Sequence, residues 1–265
     1  MAPQTPATDT SDTLMSLQGI TLAFGPKVIQ KDISFDIKRG SIFAVMGGSG
    51  CGKSTVLKSM IGLLRPTAGH YLVDGEDYWT ADPAHRQTVS RRFGVLFQSA
   101  ALWSSLTVGE NVALPMQMLT KMDPATVRNQ VELKLGLVDM LHAIDQYPSE
   151  LSGGMKKRAG LARAMALDPD ILFFDEPSAG LDPITSARLD DLILNLRDGL
   201  GATIVIVSHE LPSLFKIADD GIFLDAKTKT PIAHGAPSWL HDHCDEPQVH
   251  AFMHRERETE SGRTD

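Results

Sequence analysis

The residues Gly47-Gly48-Ser49-Gly50-Cys51-Gly52-Lys53-Ser54 match the pattern GxxxxGK[ST] in full. A run of this kind grips phosphate. Its glycines let successive backbone N–H groups curl around phosphate oxygens, and the N-terminus of a following helix adds its positive end. Lys53 has the reach and charge for β- and γ-phosphates, and the Ser54 hydroxyl is a ligand for Mg²⁺. The flanks agree with this reading. An apolar run from Ile42 to Met46 precedes the loop, and a helical pattern from Ser54 to Leu64 follows it. A glycine-rich turn that merely contains a lysine requires neither.

A second element supplies acid groups. Ile171-Leu172-Phe173-Phe174-Asp175-Glu176 is an apolar run ending in two carboxylates. At the C-terminal edge of a parallel strand they would lie beside the phosphate loop, where such sheets bind ligands. Asp175 is then expected to hold Mg²⁺, directly or through water, and Glu176 to orient and deprotonate an attacking water as general base. Two solvated acids at a strand end are common, so the weight of this assignment comes from its pairing with the phosphate loop.

These residues need a scaffold. The runs Ile42 to Met46, Phe93 to Phe97, Ile171 to Phe174 and Thr203 to Val207 are almost continuously apolar. That is the pattern of parallel strands covered on both faces. Between Pro183 and Leu200, the residues Leu189, Leu192, Ile193, Leu196 and Leu200 fall on one helical stripe. Asp182 suits the cap, Pro183 the first position and Gly199 the end. The stretch from about Ser99 to Arg163 has helical periodicity without a convincing strand, which predicts a helical lobe inserted into an α/β domain. Short strands are expected at Ile222 to Leu224 and Pro231 to His234.

Composition bounds the rest. The chain has 265 residues, 42% hydrophobic and 22% charged, with a net charge of −8. This is a globular balance, and an acidic one, which argues against nucleic acid as a partner. Cys51 and Cys244 show no disulfide or zinc spacing, and a reducing cytoplasm fits best. The N-terminus lacks the basic and apolar regions of a signal peptide, and residues 1–13 read as a disordered tail. No run approaches the roughly 18 apolar residues of a spanning helix.

Further motifs carry a family resemblance. Leu151-Ser152-Gly153-Gly154-Met155 resembles the signature of ATP-binding cassette (ABC) ATPases, and Ser178-Ala179-Gly180-Leu181-Asp182 resembles their D-loop. Gln98 resembles the Q-loop glutamine, His209 the switch histidine near the γ-phosphate, and Phe24 the aromatic ring that stacks on adenine. The resemblance runs from about Leu17 to Gly235 with the motifs in family order. It implies an α/β P-loop NTPase cassette with a RecA-like core, an N-terminal antiparallel β portion and the inserted helical lobe (about 99–165), the whole ATPase domain covering 14–240. It also implies ATP and Mg²⁺ as cofactors. Lys53, Gln98, Glu176 and His209 would act in hydrolysis. Ser54, Gln98 and Asp175 would hold the metal. Phe24, Gly47 to Thr55, Ser152 to Gly154 and Asp182 would form the nucleotide set. Two cassettes would pair head to tail, each signature closing on its partner's ATP.

A narrower resemblance is carried by Phe97-Gln98-Ser99-Ala100-Ala101-Leu102-Trp103, by Met155 and by the segment Asp245 to Phe252. These are similar to ATPases serving lipid transporters with MCE-type binding proteins, the Mla phospholipid group among them. Ala100 and Trp103 depart from that group's usual Gly and Phe. The group implies an integral membrane permease touching the region Gln98 to Val112, an MCE-type lipid-binding protein, a small accessory protein, and a peripheral place on the cytoplasmic face of the bacterial inner membrane. The alternatives are the ATPase of a small-solute importer, a soluble non-transport ABC ATPase, and a regulatory nucleotide-binding module that hydrolyses poorly. Residues 241–265 form a tail with two readings. Its apolar side chains, including Val249, Phe252 and Met253, either pack on their own domain or brace a partner cassette.

Overall fold

Ile204 and Ile206 point into one apolar cluster, while Val205 and Val207 point into another. The same alternation holds along two further runs. Leu172 and Phe174 face the first cluster, and Ile171 and Phe173 the second. Ala44 and Met46 face the first, and Phe43 and Val45 the second. A sheet with a core on each side leaves no face for polar residues, which is why these runs read as unbroken hydrophobic stretches.

The computed structural model describes residues 12–256. The expected disorder at the N-terminus falls, over residues 1–11, outside the described residues, as does the end of the tail, 257–265. Thr13, placed in that tail on composition, already opens the first strand.

A six-stranded sheet carries the α/β core, in the order β10-β9-β3-β8-β7-β6. Its strands are β3 (Ile42–Gly47), β6 (Phe93–Leu96), β7 (Ile171–Asp175), β8 (Thr203–Val207), β9 (Asp220–Leu224) and β10 (Pro231–His234). All pair in parallel except β10, which runs antiparallel to β9. A four-stranded antiparallel sheet packs over one face. It consists of β1 (Thr13–Phe24), β2 (Lys27–Lys38), β4 (Ala68–Val73) and β5 (Glu76–Asp77), in the order β2-β1-β4-β5. The helices α1 (Lys53–Met60) and α2 (Pro83–Ser90) complete that side. Between β6 and β7 the chain forms α3 (Val108–Leu119), α4 (Pro124–Leu137) and α5 (Gly153–Ala164), with two short 3₁₀ turns between α4 and α5. Then come α6 (Pro183–Leu200), α7 (Leu211–Ile217), α8 (Pro237–His243) and α9 (Pro247–Met253).

Caps explain where several helices begin. Asp182 accepts from Ile184 N and Thr185 N, with Pro183 at the first position of α6. Thr107 and Glu110 form a reciprocal capping box on α3. Two expectations need correction at helix ends. Gly201, rather than Gly199, takes the left-handed conformation (φ 66°) that stops α6. Leu200 therefore falls on the last turn and faces solvent instead of joining the buried stripe. The helix after the phosphate loop ends at Met60, short of Leu64. There Gly62 turns with φ 82° under the Tyr78 hydroxyl, where a Cβ would lie 2.1 Å from the oxygen.

The two-sided core makes a stability prediction. Phe173→Ala and Phe174→Ala empty opposite faces of the same strand. Each is expected to lose about 3–5 kcal/mol in denaturant unfolding. A strand with one solvated face would show the loss at only one of the two.

Candidate nucleotide site

The ladder between β3, β8 and β7 aligns three strand ends. Val207 pairs with Val45 on one side and with Asp175 on the other. Gly47 then lies two residues beyond Val45, His209 two beyond Val207, and Glu176 one beyond Asp175. The phosphate loop, the two carboxylates and the histidine thus meet at the C-terminal edge of the sheet. A cleft of about 840 Å³ opens there, lined by Gly47 to Gly50, Gly52 to Thr55, Gln98, Glu176 and His209.

The loop is held tightly from behind. Gly47 has φ 140°, and a Cβ there would sit 2.4 Å from Leu224 O and 2.7 Å from Cys51 Sγ. Gly52 precedes α1 with φ 103°. Gln30, fully buried on β2, donates from Nε2 to Cys51 O (2.7 Å) and to Asp225 O (2.8 Å), so one amide clamps the loop to the end of β9. Lys53 folds over its own loop, with Nζ donating to Gly47 O (2.8 Å) and Gly48 O (2.9 Å). Those contacts place an ammonium beside the loop that a polyphosphate would enter. Cys51 points away from the cleft into the core, and burial pushes its thiol pKa up.

Across the cleft, Ser54 Oγ lies 3.2 Å from Asp175 Oδ1. Burial raises the Asp175 pKa, and the neighbouring Glu176 charge adds to the rise, partly offset by the Ser54 hydrogen bond. Glu176 adopts φ 50°, outside the usual range for a residue with a side chain. Its N–H donates to Val207 O (2.8 Å), and Lys157 Nζ on α5 donates to its carbonyl oxygen (2.8 Å). His209 Nδ1 is 2.9 Å from Glu176 Oε1, while Glu176 Oε2 is buried without a partner among the described residues.

The remaining candidates are placed as follows. Gln98 follows β6 in a turn and lines the cleft. Phe24 ends β1 and is 54% exposed, outside the lining. Ser152 caps α5, its Oγ accepting from Met155 N (3.3 Å), with Gly153 and Gly154 in the first turn. Neither Ser152, Gly153, Gly154 nor Asp182 lines the cleft of its own chain. Sequence reasoning missed several groups here: Gln30, Lys157, and Ile29, Leu211, Ala251, Phe252, Arg255 and Glu256 on the cleft wall. Only the folded chain brings these distant segments together. The tail is the clearest instance. Val249 and Met253 of α9 are buried against their own core, and the Phe252 ring meets Phe223 edge to face at 5.1 Å.

A family model described as ABC transporter matches residues 30–179. The chain belongs to that family. It is 40% identical to the intermembrane phospholipid transport system ATP-binding protein MlaF of Escherichia coli K12, over 91% of this chain and 88% of that one. It is 39% identical to the probable ribonucleotide transport ATP-binding protein mkl of Mycobacterium leprae, over 92% and 69%. Among solved structures it is similar to cbiO1 of Clostridium perfringens, part of the transporter complex cbiONQ, with a TM-score of 0.80 at 26% identity over 90% of this chain and 93% of that one. The cassette MJ0796, solved as a dimer in a post-hydrolysis state bound to ADP and Pi, gives 0.76 at 28% identity over 83% and 97%. This ABC protein binds and hydrolyses ATP. Among its described residues no helix is long and apolar enough to cross a membrane.

Burial sets the order of thiol reactivity. N-ethylmaleimide is expected to label the partly exposed Cys244 well before Cys51. Peptide mass mapping over time checks this, and rapid labelling of Cys51 would show that the loop opens.

Proposed function

We propose that the chain is the ATPase of a phospholipid transporter, working as a pair of cassettes beneath a separate membrane permease. The observation that carries the lipid reading is the 40% identity to MlaF across nine-tenths of the chain. The FQSAALW segment and Met155 support it. The mycobacterial relative named for ribonucleotide transport supports the alternative of a soluble substrate. Transport assays on the chain reconstituted with its permease separate the two: fluorescent phospholipid should move in an ATP-dependent way, and labelled ribonucleotide should not.

In the working pair, the Gly47 to Thr55 loop and Lys53 hold the triphosphate, and Phe24, exposed at the end of β1, stacks on the base. The signature, Ser152 to Gly154, lies off the cleft of its own chain, which suits a role on the ATP of the partner. Asp182 is committed to the α6 cap, so its part in the nucleotide set is to fix the D-loop. The donors Ser54 Oγ and Asp175 Oδ1, with the Gln98 amide on the same cleft, are hard oxygens suited to Mg²⁺. No cluster of three His, Cys, Asp or Glu exists among the described residues to cage a metal without phosphate. The ion would also add countercharge at partly buried Asp175. It would neutralise charge developing on the phosphoryl oxygens. Glu176 takes the proton of the attacking water, and His209, 2.9 Å from Oε1, holds the carboxylate in place. The exposed Trp103, in the region Gln98 to Val112, is offered to the permease. In this reading the chain lies on the cytoplasmic face of the bacterial inner membrane. An MCE-type lipid-binding protein and a small accessory protein complete the assembly.

Glu176→Gln keeps the shape of the side chain and removes the base. It is expected to bind ATP normally, to hydrolyse at least about 100-fold more slowly, and to accumulate as an ATP-bound dimer in size-exclusion chromatography. Lys53→Ala is expected to lose at least about 100-fold in hydrolysis through the missing charge on the phosphates. Near-normal turnover in either variant overturns its assignment.

A further inference from the structure

Lys157 is a charged side chain with no place in the scheme above. It lies on α5, is only 6% exposed, and its ammonium donates to one described acceptor, the carbonyl oxygen of Glu176 at 2.8 Å. Burying an ammonium costs several kcal/mol, and a single neutral carbonyl is weak compensation. Burial lowers the Lys157 pKa, and the neighbouring charges of Glu176 and Asp175 offset only part of that cost.

What this contact holds is unusual. Glu176 sits at φ 50°, a conformation that a residue with a side chain adopts only when its surroundings impose it. Three hydrogen bonds hold its backbone: the Glu176 N–H donates to Val207 O, and the Glu176 carbonyl oxygen accepts from Ala179 N (3.3 Å) and from Lys157 Nζ. The first fastens the residue to β8, and the second closes a local turn. The third fastens it to α5, whose N-cap is Ser152 of the signature. Five residues separate Ser152 from Lys157, about 7.5 Å along a helix. The signature and the base of one chain are therefore the two ends of one rigid strut.

We propose that Lys157 is a positioning residue for ATP hydrolysis: it fixes the backbone of Glu176 so that the carboxylate faces the phosphate loop, and it ties that placement to the signature helix. The proposal rests on Glu176 being the base. In the head-to-tail pair the two ends of the strut serve different ATP molecules. The signature meets the nucleotide of the partner, and Glu176 meets its own, so a shift of α5 at one site is delivered to the base at the other.

The test uses the full-length chain. Lys157→Met keeps the length and buried volume and removes the donor and the charge. Lys157→Arg restores both. Single-turnover hydrolysis, equilibrium ATP binding and thermal unfolding are measured for both variants beside Glu176→Gln. Lys157→Met should turn over at least about tenfold more slowly, the scale of loss when a reacting group is displaced by a fraction of an ångström. Its ATP affinity should remain within about threefold of wild type, and Lys157→Arg should recover turnover relative to it. Normal turnover in Lys157→Met beside an inactive Glu176→Gln overturns the proposal. So does a parallel loss of affinity and turnover, which marks general disruption, and so does an arginine variant as slow as the methionine one. An active Glu176→Gln instead removes the base assignment on which the proposal stands.

Discussion

Val207 is hydrogen-bonded in register between Val45 and Asp175. With that ladder in place, a glycine loop, an acidic pair and a histidine emerge side by side from three strands that are far apart in sequence. A slip of one residue in β7 would send Phe173 and Phe174 into each other's cores and move Asp175 and Glu176 out of line with the phosphate loop. The close packing of two differently shaped cores opposes the slip. The core thus specifies the site: packing of Phe173 and Phe174 on opposite sides of β7 determines where Asp175 and Glu176 come out.

Charge at that edge is suited to phosphate. Lys53 lies over its own loop carbonyls, Asp175 is partly buried beside another acid, and Glu176 Oε2 has no partner among the described residues. Gln30 and Lys157 hold the frame, one on the phosphate loop and the other on the backbone of Glu176. The signature stands apart from the cleft of its own chain.

Much of this was legible in the residues. The phosphate loop declares itself because its chemistry needs fixed types at fixed spacing. The buried strands declare themselves because a two-faced core forces continuous apolar runs, and β8 runs from Thr203 to Val207 as the pattern indicates. Chain ends of elements were less visible, since Gly199 and Gly201 offer equal stops and only packing chooses between them. The antiparallel sheet has weaker local signals: β4 begins with three exposed residues and β1 shifts register around Gly19. Lys157 and Gln30 carried no signal at all. A lysine on a helix and a glutamine on a strand are ordinary surface residues until the fold buries them against a carbonyl. The tail behaved likewise, because a face formed by Val249, Phe252 and Met253 fits a groove on either chain, and contacts of α9 with Phe223 show it lying on its own.

The central claim is that one chain supplies the phosphate loop and its partner the signature. Mixing two inactive variants, Lys53→Ala and Ser152→Arg, tests it most directly. In a two-fold pair each variant alone places one defect in both sites. A mixed pair concentrates both defects in one site and leaves the other whole. With random pairing at equal amounts, half the dimers are mixed and each has one intact site, so about a quarter of wild-type ATPase activity should return. Activity that stays at the level of the separate variants at every mixing ratio would contradict the shared site.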